Sequence, residues 1–213
     1  KMQDAETDLL KQVMIRETSF AYASDEERPI QEIFRDLVND PARNELIRQD
    51  VRQALSQRRR CLILSQWRAH CRLLAEGLAK VGKASFVLDG TLGKKDRTAL
   101  FQCIQATPRE DELVVIATGQ YLGEGFDCPQ IDTLFLTFPI SFKGKLVQYV
   151  GRTLRTYEGK ERVVVYDYAD VHVPVLKVMH ARRLKTYKTI GFAQEEHVGQ
   201  EVPEPTLFPA GGS

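Results

Sequence analysis

At 213 residues the chain has the length of one α/β domain with attachments, and 43% hydrophobic residues are enough for a solid core. A net charge near +1 excludes a uniformly basic nucleic-acid binder, so any such surface must be a local patch. No apolar run approaches the roughly 20 residues that cross a bilayer, no signal peptide opens the chain, and Cys61, Cys71, Cys103 and Cys128 lack C-x-x-C spacing, which predicts a cytoplasmic protein in a reducing compartment with no membrane contact, structural zinc or other metal site.

Residues 1–30 are polar, with an acidic patch at Ser24-Asp25-Glu26-Glu27 closed by Pro29, and Phe20 and Tyr22 predict a short strand at a sheet edge. Apolar residues at helical spacing follow, Ile33, Phe34 and Leu37 over 30–38, then Leu46, Ile47, Val51 and Leu55 over 41–58, which predicts two lead-in helices. Strands near 61–65, 84–88, 113–117, 133–138 and 162–167 alternate with helices near 67–81, 94–105, 145–155 and 171–188. That alternation is the pattern of a mostly parallel sheet covered on both faces. The tail from Val202 to Ser213 has three prolines and no periodicity, and reads as a linker or a segment ordered only against a partner. The chain thus divides into an N-terminal extension with lead-in helices (1–57), an α/β core (58–170) and a C-terminal helix with a flexible tail (171–213).

Two stretches carry the chemistry. Residues 145–155, Lys-Leu-Val-Gln-Tyr-Val-Gly-Arg-Thr-Leu-Arg, place Gln148, Gly151, Arg152 and Arg155 in a Q-x-x-G-R-x-x-R pattern. On a helix Arg152 and Arg155, three apart, share one face. Two guanidiniums aimed the same way, with Gly151 leaving room for a ligand, suit the spread negative charge of a transferring phosphate. The plainer reading is a surface helix with ordinary salt-bridging arginines. Upstream, the run from Leu113 to Thr118 enters a glycine-rich stretch, Gly119 to Pro129, before the strand from Thr133 to Phe138. A parallel sheet places its ligand contacts where a strand enters such a loop. There Gly123 and Gly125 open the approach, Thr118 offers a hydroxyl and Asp127 a carboxylate.

In this order and spacing the two stretches resemble motifs V and VI of superfamily 2 helicases and translocases: Ala117-Thr118, then Glu124-Gly125, Asp127 and Pro129, then Gln148, Gly151, Arg152 and Arg155. Cys61 to Arg68 resembles motif IV, and Val87 to Thr91 with Lys94-Lys95-Asp96-Arg97 the segment that adjoins it. The resemblance covers residues 58–170 and is to the C-terminal, or second, RecA-like domain. It implies a three-layer αβα sandwich with helical extensions at both ends, forming half of an ATP-dependent enzyme. ATP would lie in a cleft against an N-terminal RecA-like domain of the same protein, which supplies the P-loop lysine, the Mg2+ ligands and the water-polarising acid. This chain alone would hold neither ATP nor Mg2+ and would be inactive. The resemblance assigns Arg155 to the γ-phosphate as arginine finger and Arg152 beside it. It makes Gln148 a polar contact in the cleft, Asp127 a ligand of the ribose or of the opposite domain, and Glu124 and Gly125 the motif V loop. Ser65, Arg68, Thr91 and Thr118, with Gly119 beside it, match positions on the sugar-phosphate backbone of one strand, which give affinity without reading bases. Gly119 stands where the DEAD-box branch has aspartate and Gln148 where it has histidine, so the resemblance leans to the restriction-enzyme-like and excision-repair-like branches, and DNA is preferred over RNA.

Other readings compete. Gly77-Leu-Ala-Lys-Val-Gly82-Lys83-Ala84 nearly spells a P-loop, but has alanine for the metal-binding hydroxyl and follows a helix instead of preceding one. Asp111-Glu112 starts like a D-E-x-x box, yet precedes its strand. Asp89-Gly90-Thr91-Leu92-Gly93 resembles the loop of adenosylmethionine-dependent methyltransferases, which makes that class the runner-up, ahead of a catalytically silent nucleic-acid-binding module. Between Lys143 and Lys188 cations outnumber acids; Lys143 and Lys145 are placed near the cleft or strand path, whereas Arg182, Arg183, Lys185 and Lys188 read as a solvated helix face.

Overall fold

A computed structural model describes residues 9–22, 28–123, 127–140, 143–153, 155 and 157–196. Strand β1 (Leu10–Glu17) is followed by helices α1 (Ile30–Asn39) and α2 (Pro41–Ser56). Asp40 separates the helices: its extended backbone ends α1, and its carboxylate accepts the Arg43 amide at 2.7 Å to cap α2, whose first residue is Pro41. The chain continues through β2 (Cys61–Ser65), α3 (Arg68–Ala79), β3 (Phe86–Leu88), α4 (Lys94–Ala106) and β4 (Val114–Thr118). The remaining elements are α5 (Gly119–Gly123), β5 (Thr133–Leu136), α6 (Lys143–Thr153), β6 (Arg162–Ala169), α7 (Pro174–Thr189) and β7 (Ala193–Glu196).

All seven strands are parallel and form one sheet in the order β3-β4-β2-β5-β6-β1-β7. Every residue of β2, β4 and β5 is buried, as expected of strands covered on both sides. Alternate side chains feed two cores. Leu62, Leu64, Val115, Leu134 and Val165 pack with Ile104 of α4, Leu146 and Val150 of α6 and Tyr187 of α7. Ile63, Ile116, Phe135 and Tyr166 pack with Ile47 and Val51 of α2 and Leu74 and Leu78 of α3. The result is a three-layer αβα sandwich. A third cluster, Ile33, Leu37 and Val38 of α1 with Phe20, Phe138, Val173 and Leu176, covers part of the carboxyl ends of the strands. Fully buried Arg43 fastens these ends, donating to Asp170 (2.8 Å) and to the Thr137 carbonyl (2.9 Å), while Asp170 also accepts the Thr18 hydroxyl. The chain leaves β2 for α3 on one face and β5 for α6 on the other, which opens a crevice at the carboxyl ends.

Four expectations are corrected. The N-terminal strand is Leu10–Glu17, not Phe20 and Tyr22, and it lies inside the sheet between β6 and β7. Phe20 instead packs beneath α1. The stretch after β4 begins as the short helix α5, not as a loop. Helix α6 ends at Thr153, so Arg155 lies beyond it and does not share a helix face with Arg152; the Arg155 carbonyl accepts the Lys160 Nζ instead of the amide of a continuing helix. Finally, Arg183 is buried, with its guanidinium on Asp167 at 2.8 Å, so it is no part of a solvated face. The acidic patch at 24–27 and the tail from 202 to 213 fall outside the described residues.

Candidate functional site

At the carboxyl ends of β2, β3 and β4, beneath α6, the chain encloses an open hollow of about 680 Å³. Gln66 and Arg68 line it from the turn after β2 and the first residue of α3, Asp89 and Gly90 from the turn after β3, Thr118 to Tyr121 from β4 and α5, and Lys145, Gln148 and Tyr149 from α6. The fold therefore brings together the candidate site residues Arg68, Thr118, Gly119 and Gln148 with Lys145, which was expected near the cleft or strand path. Arg68, Lys145 and Gln148 are exposed, so their polar ends are free to meet a ligand.

Buried hydrogen bonds set the floor of this hollow. Ser65 has no exposed surface: its Oγ lies 3.0 Å from His70 Nδ1 and accepts the Trp67 amide at 3.3 Å. His70 Nε2 lies 2.9 Å from Asn44 Oδ1, which only accepts, so Nε2 carries the proton and the Ser65 hydroxyl donates to Nδ1. Burial, with a contribution from Arg43, lowers the His70 pKa to about 3 and keeps it neutral. Ser65 thus shapes the turn into α3 and cannot touch a strand directly, because its hydroxyl is enclosed.

Thr91 is also displaced from its expected place. Its amide and hydroxyl donate to Asp89 at 3.1 and 2.7 Å, and it lines a separate hollow of about 270 Å³ beside Arg72 and Leu92. Burial raises the Asp89 pKa, but the two Thr91 bonds and Arg72 outweigh it and hold the carboxyl below its usual value. Gly90, at φ +88°, lies under the Tyr121 ring, which a Cβ would strike. A methyltransferase reading needs this strand-end acid for a ligand, and here both of its oxygens are held, one by Thr91 and the other by Arg72. The P-loop lookalike dissolves likewise: Gly77 sits in α3 where a Cβ would fall 2.6 Å from Arg48 Cδ, and Gly82 makes a left-handed turn at φ +76°.

Gly119 fits closely against α6, for a Cβ there would collide with the Tyr149 hydroxyl. This is the space that a larger residue after Thr118 would require. Nothing crowds Gly151, which faces open space on α6. Arg152 lies on α6 with its side chain outside the described residues, as are Glu124 and Gly125. Arg155 stands apart from the hollow in an ion pair with Asp127, with side chains 54% and 44% exposed. The second carboxylate oxygen of Asp127 has no partner among the described residues. Behind this pair, Lys160 Nζ donates to the carbonyls of Ile131 (2.7 Å), Arg155 (2.9 Å) and Pro129 (3.0 Å), tying the segment that leads into β5 to the one that follows α6; burial lowers its pKa to about 8. His70, Tyr121 and Tyr149 belong to no motif in the sequence. A histidine on the apolar face shared by Cys71, Leu74 and Leu78 was the one available signal.

Comparison with known proteins agrees with this geometry. The chain is 30% identical over 101 residues to the putative mitochondrial ATP-dependent helicase irc3 of Schizosaccharomyces pombe, a match covering 47% of this chain and 16% of that protein. Among solved structures it resembles UvsW of T4, with TM-score 0.68, 13% identity and coverage of 89% of this chain and 42% of UvsW. It also resembles Dbp5 of S. cerevisiae bound to RNA and ADP BeF3, with TM-score 0.61, 14% identity and coverage of 88% and 41%. These structural likenesses establish a RecA-like fold, and the chain spans under half the length of each of these three relatives. The helicase conserved C-terminal domain family matches residues 43–157, more than half of the chain and all of the strands, turns and helix around the hollow, so the chain belongs to that family.

Proposed function

We propose that this chain is the second RecA-like half of an ATP-dependent helicase or translocase, supplying an arginine finger to a cleft shared with a first RecA-like domain and backbone contacts to a nucleic-acid strand. The observation that carries this reading is the Asp127–Arg155 pair, half-exposed and free of any other ion pair among the described residues, beside the segment bearing Gln148. An exposed ion pair contributes under about 1 kcal/mol, so it yields readily to a phosphate that offers charge-assisted, bidentate contacts. Arg155 can therefore leave Asp127 for a γ-phosphate presented by an opposing domain. ATP would supply the phosphoryl group, and Mg2+, held by the first domain, would neutralise its charge. Arg155 meets charge that grows as the bond breaks, and Asp127, once released, can accept a ribose hydroxyl or a donor of the opposite domain. Arg68, Lys145 and Thr118 hold phosphates of the strand across the hollow, which positions it without reading sequence. DNA is the proposed substrate, on the ground that Gly119 and Gln148 depart from the DEAD-box pattern.

The test is Arg155→Ala in the full-length protein. Turnover stimulated by single-stranded DNA should fall by about 10³-fold or more, with strand binding and folding nearly intact, and Arg155→Lys should restore little because an ammonium lacks the planar fork. Retention of more than roughly a tenth of the turnover, under about 1.4 kcal/mol of barrier, would return Arg155 to the ordinary surface and leave strand binding as the function. Equal stimulation by RNA would overturn the DNA preference alone.

A further inference from the structure

At the opposite, amino-terminal end of the sheet, the segments entering β2 and β6 and leaving α4 enclose a second hollow of about 510 Å³. Six cations line it against three carboxylates, in a chain that is otherwise almost neutral. Three of the cations are committed to the fold. Arg60, 5% exposed, donates to the carbonyls of Thr107 (3.1 Å) and Pro108 (2.8 Å), Lys160 holds the carbonyls described above, and Arg59 bonds Asp132 and Thr133. The other three, Arg58, Arg109 and Arg162, are exposed and form no ion pair among the described residues.

Local backbone chemistry places Arg58 and Arg109 at this wall. Helix α2 ends in a Schellman turn, with the Arg59 amide on the Ala54 carbonyl (3.0 Å) and the Arg58 amide on the Leu55 carbonyl (2.9 Å). Arg58 therefore occupies the left-handed position, at φ 58°, which glycine fills without strain; it is the one non-glycine residue with positive φ among the described residues. Gly159 shows the converse. It is left-handed at φ +68°, and a Cβ there would collide with the Arg109 guanidinium, so the absent side chain makes the seat for that arginine. The Arg60 Nε–H, buried at the hollow, has no hydrogen-bond partner among the described residues. Tyr157 adds a ring 43% exposed at the same wall.

We propose that this hollow is a binding site for a compact polyphosphate group of two or three phosphates, separate from both the nucleic-acid hollow and Arg155. The uncommitted donors are all arginine, whose planar fork matches phosphate oxygens bidentately, and the surplus of positive charge matches such an anion. A single-stranded nucleic acid is disfavoured, because this hollow lies across the sheet from Arg68 and Thr118. The shared chemistry admits a free polyphosphate or the phosphate end of a nucleotide, and Tyr157 is placed to distinguish them by stacking a base. The proposal does not depend on the helicase reading.

The experiment is calorimetric titration of the 213-residue chain with inorganic tripolyphosphate and, separately, with ATP without Mg2+, at low ionic strength. One saturable site is expected, weakened about ten-fold or more in Arg109→Ala/Arg162→Ala and within about two-fold of the parent in Lys185→Ala and Lys188→Ala, exposed cations that line neither hollow. Arg58→Gly should weaken binding while leaving the thermal midpoint unchanged or higher, a combination that a purely structural arginine would not give. Tighter binding of ATP that Tyr157→Ala abolishes assigns the site to a nucleotide, and equal binding assigns it to the free anion. Absence of a saturable site, equal weakening in Lys185→Ala or Lys188→Ala, or unchanged affinity in the double variant would overturn the proposal.

Discussion

Proton binding at His70 is linked to folding because its ring, enclosed between Ser65 and Asn44, titrates at about 3 in place of its ordinary 6.5. Between these values the unfolded chain binds the proton and the folded chain does not, so the stabilisation is complete above pH 6.5 and is lost as pH falls through that window. About 2 kcal/mol should disappear between pH 6.5 and 5. Urea unfolding of the parent and of His70→Gln at pH 7 and pH 5 checks this. The variant's stability should change less over the interval, and differencing removes the parallel effect of His180, also lowered by burial. Equal pH dependence in both proteins would show that His70 does not govern it. At this scale the sequence reveals residue types but not partners. Arg183 reads as one more cation on a basic helix, yet inside the core it donates to the carboxylate of Asp167, sixteen positions earlier, which also accepts the Tyr187 hydroxyl. Ser65 reads as a strand-end hydroxyl and does end β2, yet only the enclosing histidine reveals that this hydroxyl faces inward.

Elements with continuous apolar runs, β2, β4 and β5, were legible because strands buried on both faces leave no polar gap. Strand β1 was not, since its eight residues hold one fully buried side chain, Val13, and their apolar residues, Leu10 and Val13 to Ile15, neither alternate nor form an unbroken run along the strand. Its place in the fold comes from the backbone: Leu10–Glu17 pairs along its whole length with Arg162–Ala169 on one side, and Gln12–Ile15 pairs with Ala193–Glu196 on the other. The four-residue β7, polar in sequence, has β1 as its neighbour in the sheet and carries no pattern of its own. Removing residues 1–17 should therefore free β7 and uncover the Val13 side of the core, where Tyr187 and Phe192 pack. Limited proteolysis should then cut after α7 where the parent resists, and the thermal midpoint should drop. Val13→Asp, which buries an unpaired carboxylate, should do the same at a cost of several kcal/mol. Unchanged resistance in both variants would mean that β7 is held by α7 alone.

For the whole molecule, near-neutral net charge conceals a separation of cations to the two ends of one sheet. The carboxyl-end hollow presents Arg68 and Lys145 beside Thr118, while the acid that could oppose them, Asp89, is already held by Arg72 and Thr91. A strand lying there exchanges condensed counterions for these side chains, and each phosphate neutralised on a single strand contributes about 0.7 to the slope of log affinity against log salt. Arg68→Ala and Lys145→Ala should each reduce that slope by about this amount, weakening binding similarly for unrelated sequences because phosphates carry no base information. Lys185 and Lys188, exposed on α7, should leave the slope nearly unchanged when replaced by alanine, since neither lines the hollow. Fluorescence anisotropy with a labelled single-stranded oligonucleotide across a salt series measures all four. If the α7 variants flattened the salt dependence as much as the hollow variants do, the strand would run along α7. The likeness of this fold to other helicase C-terminal domains would then not extend to the path of the nucleic acid.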